Sequence, residues 1–240
     1  MPIVNVSVEI FSTFVKDISE YFNEDPKIVE EKLSEGTRLV ADSWRASNPK
    51  TPDEYRAWYR SCKEYIYDLA FWHSTVDKRR FDATVFDSIA KHTKHGKMFV
   101  LDYGCGIGEN AIELAERGVV VVAADLNCEA FRFAQWRVKK LGMSDRIKFY
   151  DLDEHGDGGL QDMFLDGIVC FDVLEHLHSP EEVREKIALF KNITPNIWVC
   201  VTFGQGKGSY PMHIEDPSGE LEQWLINEGV KIINRGNEGW

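Results

Sequence analysis

The run Asp172-Val173-Leu174-Glu175-His176-Leu177-His178 gathers two carboxylates and two imidazoles within seven residues. If a helix starts at Asp172, then Glu175 and His176, at i+3 and i+4, project to one side with it. Such groups can take a proton from a reacting hydroxyl. A second concentration is Val100-Leu101-Asp102-Tyr103-Gly104-Cys105-Gly106-Ile107-Gly108, an apolar run that meets an acid and then a glycine-rich turn. Glycines at 104 and 106 let the backbone turn sharply and approach a ligand that a Cβ would repel. The spacing is G-x-G-x-G rather than the G-x-G-x-x-G of dinucleotide-binding loops. The carboxylate of Asp102 beside the turn suits a ligand that is cationic there, and suits a pyrophosphate poorly.

Two further apolar runs also end in acids. Val121-Val122-Ala123-Ala124-Asp125-Leu126 puts a carboxylate where it could grip both hydroxyls of a ribose. Ile147-Lys148-Phe149-Tyr150-Asp151-Leu152-Asp153 closes on acids that could hold an adenine amino group. Only one of Asp151 and Asp153 can be presented correctly by the strand end.

These groups need a scaffold that brings four chain segments to one edge. After Gly96, short apolar runs (Met98–Leu101, Val119–Ala124, Ile147–Tyr150, Ile168–Phe171, Ile197–Phe203, Val230–Ile233) alternate with helical periods near 110–117, 129–141, 180–191 and 219–228. That alternation predicts a doubly wound, mostly parallel α/β sheet of Rossmann-like type, covered by helices on both faces. Strand ends carrying glycines and acids would then line one crevice. Residues 1–95 read as helix almost throughout: from about Ile10 to Phe22, from Pro26 to near Gly36, an aromatic stripe over Tyr55–Trp72, and Phe81–Ile89. The predicted division is a helical cover over 1–95 and a sheet domain over 96–240.

The segments 101–108 (Leu-Asp-Tyr-Gly-Cys-Gly-Ile-Gly) and 171–177 (Phe-Asp-Val-Leu-Glu-His-Leu) resemble those of the class I S-adenosylmethionine-dependent methyltransferases. They are similar above all to the ubiquinone-biosynthesis-like, small-molecule branch, and the resemblance spans roughly residues 97–235. It implies S-adenosylmethionine as cofactor and S-adenosylhomocysteine as product. By position it puts Asp102, Gly104, Cys105 and Gly106 at the methionine end. Asp125 and Leu126 fall at the ribose, Asp153 at the adenine, and Phe171 and Asp172 beside the transferable methyl. Glu175, His176, His178 and His213 fall on the acceptor side as candidate catalytic groups. The N-terminal helices would close over the site, with Tyr65, Tyr67, Trp72 and His73 touching the acceptor. The implied reaction moves a methyl group to an oxygen or nitrogen of a small molecule, without a divalent metal.

Three other readings stand beside it. Metal-dependent small-RNA 2′-O-methyltransferases carry an acid-x-x-Glu-His run and a later histidine as Mg²⁺ or Mn²⁺ ligands, which Asp172, Glu175, His176 and His213 could imitate. A catalytically silent S-adenosylmethionine-binding subunit would need the cofactor residues alone. A dinucleotide-dependent oxidoreductase is disfavoured by the glycine spacing.

Composition narrows the choice. The formal charge is −12, with −2 over residues 1–95 and −10 over 96–240, a poor match to a nucleic-acid backbone. Five cysteines without a CxxC pair, no basic-then-apolar leader and no long apolar run predict a reduced, cytoplasmic protein without a membrane span. The sequence names neither an acceptor nor an oligomeric state. Three segments carry weaker expectations. Lys78-Arg79-Arg80 reads as a solvated basic cluster, and Gly204–Gly208 as a flexible wall. The last sheet strand of the family reads as lost or truncated, unless residues 3–8 supply it.

Overall fold

The structure is a computed structural model that describes residues 5–91, 97–205 and 210–232. Five helices come first: α1 (Val8–Phe22), α2 (Pro26–Ser47), α3 (Pro52–Ser61), α4 (Tyr65–Ser74) and α5 (Val76–Ala90). The sheet strands follow as β1 (Phe99–Tyr103), β2 (Val120–Asp125), β3 (Ile147–Asp151), β4 (Gly167–Phe171), β5 (Ile197–Cys200) and β6 (Lys231–Ile232). Between them lie α6 (Glu109–Glu116), α7 (Glu129–Lys140), the single turn α8 (Leu152–His155), α9 (Pro180–Ile193) and α10 (Glu220–Asn227). The strands are ordered β3-β2-β1-β4-β5-β6 and every pairing is parallel. The chain order reverses between β1 and β4, so the crevice opens at their carboxyl ends, where the acids and glycines sit.

Local chemistry sets the helix starts. Thr51 and Glu54 form a reciprocal capping box at α3, and the Ser179 hydroxyl caps α9 ahead of Pro180. Two sequence expectations need correction. Helix α2 runs eleven residues beyond Gly36, because that glycine is a contact and not a stop. A Cβ there would stand 2.7 Å from the Asp68 amide of α4, so the glycine lets two helices cross closely. The aromatic stripe is not one helix either, since the chain breaks at Cys62 (φ −75°, ψ 97°) and resumes as α4.

At the sheet edge β6 pairs directly with β5, Trp198 facing Lys231 and Val199 facing Ile232. Within residues 5–8, the described part of the amino-terminal segment, Val6 forms an isolated antiparallel bridge with Thr75 between α4 and α5. Residues 3–4, the 95/96 division, residues 206–208 and the chain after Ile232 lie outside the described residues.

The helical region shares its core with the sheet. Phe14, Ile18, Val29, Leu33, Ile66 and Phe86 belong to the same buried apolar cluster as Val100, Ile107, Val121 and Val169. Each such side chain contributes about 1.5–3 kcal/mol when fully buried, so the cover is held by the same packing that holds β1 and β2. Among the described residues, no helix is long and apolar enough to cross a membrane. All five cysteines are buried free thiols.

Candidate active site

A cavity of about 480 Å³ opens at the carboxyl ends of β1, β2 and β4, roofed by side chains of α3 and α4. Its floor is the glycine turn. Gly104, Gly106 and Gly108 all take positive φ (73°, 51° and 77°), and a Cβ on Gly104 would stand 2.4 Å from Val173 Cγ2. The turn after β1 therefore nests against the segment after β4, and glycine is what permits it. Asp125 ties β2 to the same turn: its Oδ2 accepts from the Gly106 amide and its Oδ1 from the Leu126 amide, each at 2.7 Å. Burial pushes this carboxyl up to about 6, against the pull of those two amides. Each oxygen keeps lone-pair capacity for a ligand hydroxyl.

At the third strand the two candidate acids divide their work. Asp151 caps α8, accepting from the Asp153 and Glu154 amides through Oδ1 and from Asn127 Nδ2 through Oδ2. Asp153 lines the cavity and is gripped by Arg60 of α3, Nε at 2.8 Å and one terminal nitrogen at 2.5 Å. That hydrogen-bonded pairing holds the Asp153 carboxyl below the usual range. Oδ2 also takes the Asn127 amide, so Oδ1 carries the capacity left for a ligand.

Asp102 is in a different situation. It is 1% exposed and lies beneath the turn, while the cavity wall begins at Tyr103. Neither of its oxygens has a hydrogen-bond partner; the Ala111 amide favours the charged form without good bond geometry. Burial, reinforced by the Asp125 charge and opposed by Lys78, pushes the carboxyl up to about 7. A carboxyl that binds its proton more tightly folded than unfolded contributes stability at low pH. That contribution fades between about pH 4 and pH 7 as pH rises. Asp102→Asn is therefore expected to gain stability over the wild type between pH 5 and pH 8, by about 2–3 kcal/mol at roughly 1.4 kcal/mol per pKa unit. Thermal melts of the ligand-free protein at the two pH values check this; parallel curves would show Asp102 ionised throughout.

Residues 75–205, more than half of the chain, match the family described as "Methyltransferase domain". The chain belongs to that methyltransferase family. The class I, S-adenosylmethionine-dependent assignment made from the glycine turn and the Asp-Val-Leu-Glu-His run stands with it. Among curated relatives, a ubiquinone biosynthesis O-methyltransferase of Paracidovorax citrulli is 29% identical over 100 residues, 42% of this chain and 41% of the relative. A tRNA 5-carboxymethoxyuridine methyltransferase of Escherichia coli is 31% identical over 91 residues, 38% and 35% of the two chains. A solved O-methyltransferase family protein of Burkholderia thailandensis shares the fold, with TM-score 0.55 and 13% identity over 82% of this chain and 66% of that one. The chain spans about half or less of the length of the curated relatives it matches.

The residues of this methyltransferase fit its cofactor. The turn is a cradle that side chains would fill, acids stand at two successive strand ends, and a pocket joins them. At the end of β4, Phe171 lines the cavity and stacks on Phe86 of α5, centroids 5.7 Å apart at 11°. Asp172 holds a left-handed backbone (φ 58°) that only surrounding contacts sustain in a non-glycine residue. Its amide donates to Cys200 O, and its Oδ2 accepts from Trp72 Nε1 at 3.1 Å and Lys78 Nζ at 3.3 Å.

The residues expected to face an acceptor separate in the structure. Tyr65, Trp72, His73, His176 and His178 line the cavity, and Tyr59 joins them. Tyr67 does not: its hydroxyl donates to Glu24 and accepts from Lys32 inside the α1–α2–α4 packing. His178 is committed, its Nε2 within 3.0 Å of Lys50 O and its ring edge-on to Tyr55. Glu175 is buried, its Oε1 taking the Thr202 amide, so it ties the end of β4 to the end of β5 and stays out of the cavity wall. His176 and His213 pack edge-on at 4.6 Å. Burial, then the neighbouring His213, pulls His176 far below the usual imidazole range, and burial pulls His213 to about 4. Both rings are neutral near pH 7 and are poor proton acceptors.

Glu175, His176 and His213 each offer a ligand atom within 4.8 Å of the others'. Asp172, the fourth member of the predicted metal set, is not in this group, because its carboxylate is turned to Trp72 and Lys78.

Sequence reasoning missed three residues. Lys78, read as solvated, has a side chain with 0% exposure; Arg79 beside it pairs with Glu109 and Glu113, and Arg80 alone of the three is exposed. The i,i+4 pairing of Lys78 with Asp82 was the available signal. Arg60 could not be found, since its partner is 93 residues away. Tyr59 stood on the aromatic stripe, but its hydroxyl, buried and without a partner, shows only in three dimensions.

Proposed function

We propose that this protein transfers a methyl group from S-adenosylmethionine to a nitrogen or oxygen of a small, uncharged acceptor. The observation that carries the reading is the succession of glycine turn, Asp125 and Asp153 around one cavity. The bound cofactor would supply a sulfonium methyl already activated for displacement. Gly104 and Gly106 allow the close approach at the methionine end, Asp125 takes the ribose hydroxyls and Asp153 Oδ1 the adenine amino group. Phe171 and Trp72 exclude water at the far end, and Tyr59, Tyr65 and His176 shape the place of the acceptor, whose lone pair must be aligned with the methyl carbon.

The electrostatics of the wall support an uncharged acceptor. Its cations among the described residues are all engaged: Arg56 with Glu182, Arg60 with Asp153 and Lys186 with Asp157. An anionic acceptor, RNA included, would have to displace one of these carboxylates. With both imidazoles neutral and hard to protonate, an amine with a free lone pair is the acceptor that needs least from the protein. A screen for S-adenosylhomocysteine release should therefore give turnover with neutral amines and none with their phosphorylated counterparts. Turnover confined to phosphorylated or RNA substrates would refute the reading.

The Glu175–His176–His213 grouping favours a second reading for hydroxyl acceptors. Neutral imidazoles and a carboxylate are the ligand forms of these side chains, and a divalent cation held there would acidify a hydroxyl that the histidines themselves cannot deprotonate. Titration with MnCl₂ should then show one saturable site in the wild type and none in His213→Ala. No binding heat in the wild type would eliminate this reading.

A further inference from the structure

Lys78 is a fully buried cation near the cavity, and nothing in the reaction yet uses it. It lies on the first turn of α5, 1% exposed, with Nζ 2.6 Å from Asp82 Oδ2 and 3.3 Å from Asp172 Oδ2, and 5.9 Å from the Trp72 ring centroid. Asp82 is itself 2% exposed. An ordinary helix pair would need only Asp82 at i+4, and on the surface such a pair contributes a few tenths of a kcal/mol. Withdrawing an ammonium from water is far more costly, so the position calls for a second partner. That partner is Asp172.

The three consecutive residues Phe171, Asp172 and Val173, at and just beyond the end of β4, are held by α5, by α4 and α5 together, and by the glycine turn respectively. Phe171 is stacked on Phe86 of α5, Asp172 is held by Lys78 of α5 and Trp72 of α4, and Val173 is packed under Gly104. The left-handed backbone at Asp172 makes this holding necessary, because an aspartate released from its contacts would relax to negative φ and swing its carboxylate. From this we infer that Lys78 is a positioning residue: together with Trp72 it ties down one oxygen of Asp172 and keeps the carboxylate from collapsing onto a cationic sulfur. A carboxylate resting on the sulfonium would stabilise the bound cofactor before reaction, and the reacting methyl loses that advantage as the positive charge disappears. The inference rests on the proposed placing of Asp172 at the methyl end.

The test is calorimetric titration with S-adenosylmethionine and, separately, S-adenosylhomocysteine, which lacks the sulfonium charge. The variant is Lys78→Met combined with Asp82→Asn, which removes one cation and one anion together and so leaves the local formal charge unchanged. Freed from Nζ, Asp172 should favour the charged ligand, raising the preference for S-adenosylmethionine over S-adenosylhomocysteine by roughly tenfold, the scale of one charge contact between the water and protein-surface limits. Structural damage alone would weaken both ligands in step. The indole NH resonance of Trp72, assigned by its loss in Trp72→Phe, should also shift in the ligand-free double variant. An unchanged ligand ratio with an unmoved Trp72 resonance would overturn the inference. If the double variant does not fold, Lys78→Arg replaces it. That variant keeps the cation, so the inference requires a wild-type ratio and resonance, and a changed ratio with intact ligand binding would overturn it. Failure of the wild type to bind S-adenosylhomocysteine would instead strike the proposed function itself.

Discussion

Alanine at Asp125 is expected to weaken S-adenosylhomocysteine binding by at least about 100-fold, a loss near 3 kcal/mol at 1.4 kcal/mol per tenfold. Two effects add. The carboxylate is the group proposed to take the ribose hydroxyls, and hydrogen bonds to charged groups are worth about 1.5–3 kcal/mol each. The same carboxylate receives the Gly106 and Leu126 amides at 2.7 Å, so its removal leaves two amides of the floor without acceptors and loosens the turn. Asparagine keeps one carbonyl oxygen and should fall between alanine and the wild type. Calorimetry with S-adenosylhomocysteine checks the order; alanine binding within about threefold of the wild type would show that the ribose lies elsewhere.

Gly104→Ala should be still more disruptive, because it strikes the fold and the cofactor together. The new Cβ would meet Val173 Cγ2 at 2.4 Å and Cγ1 at 2.9 Å, and the residue would remain at φ 73°. A left-handed backbone costs an ordinary residue about 1–2 kcal/mol and overpacking about 1–3 kcal/mol, so a combined loss of about 2–5 kcal/mol is expected. Relief can come only by separating the turn after β1 from the segment after β4, which breaks the floor of the cavity. Chemical denaturation should show the stability loss, and the folded fraction should bind no S-adenosylhomocysteine. Gly118→Ala is the control: that glycine also has positive φ (90°), but a Cβ on it meets nothing within 4 Å. It should show the backbone penalty alone, with cofactor binding retained.

What the sequence made legible was the part written in neighbouring residues. The six strands and their helices follow from runs of apolar residues, and the acids Asp102, Asp125, Asp153 and Asp172 fall near the ends of four of them, because each run and its acid form one local unit; that Asp102 is buried beneath the turn and outside the cavity wall shows only in the structure. Spacing alone left Asp151 and Asp153 equal candidates; in the structure Asp151 caps α8 and Asp153 lines the cavity. The illegible part depended on partners far apart in the chain. Gly36 looked like a helix stop because its reason, the Asp68 backbone, lies on another helix. Tyr67 looked like a substrate contact because aromatic character does not reveal which way a ring points across a break at Cys62. The basic cluster at 78–80 looked solvated because three consecutive cations usually are, and only the packing of α5 against β4 shows that the first of them is buried against Asp172. The histidines were legible as a group, but their neutrality comes from burial, which spacing alone does not contain.

The central claim is that the cavity beyond β1, β2 and β4 is a site for S-adenosylmethionine. Calorimetric titration of the wild-type protein with S-adenosylhomocysteine, run in parallel with NAD, tests it most directly. Saturable one-to-one binding of S-adenosylhomocysteine with no heat from NAD is the expected result, and binding of NAD without S-adenosylhomocysteine would contradict it.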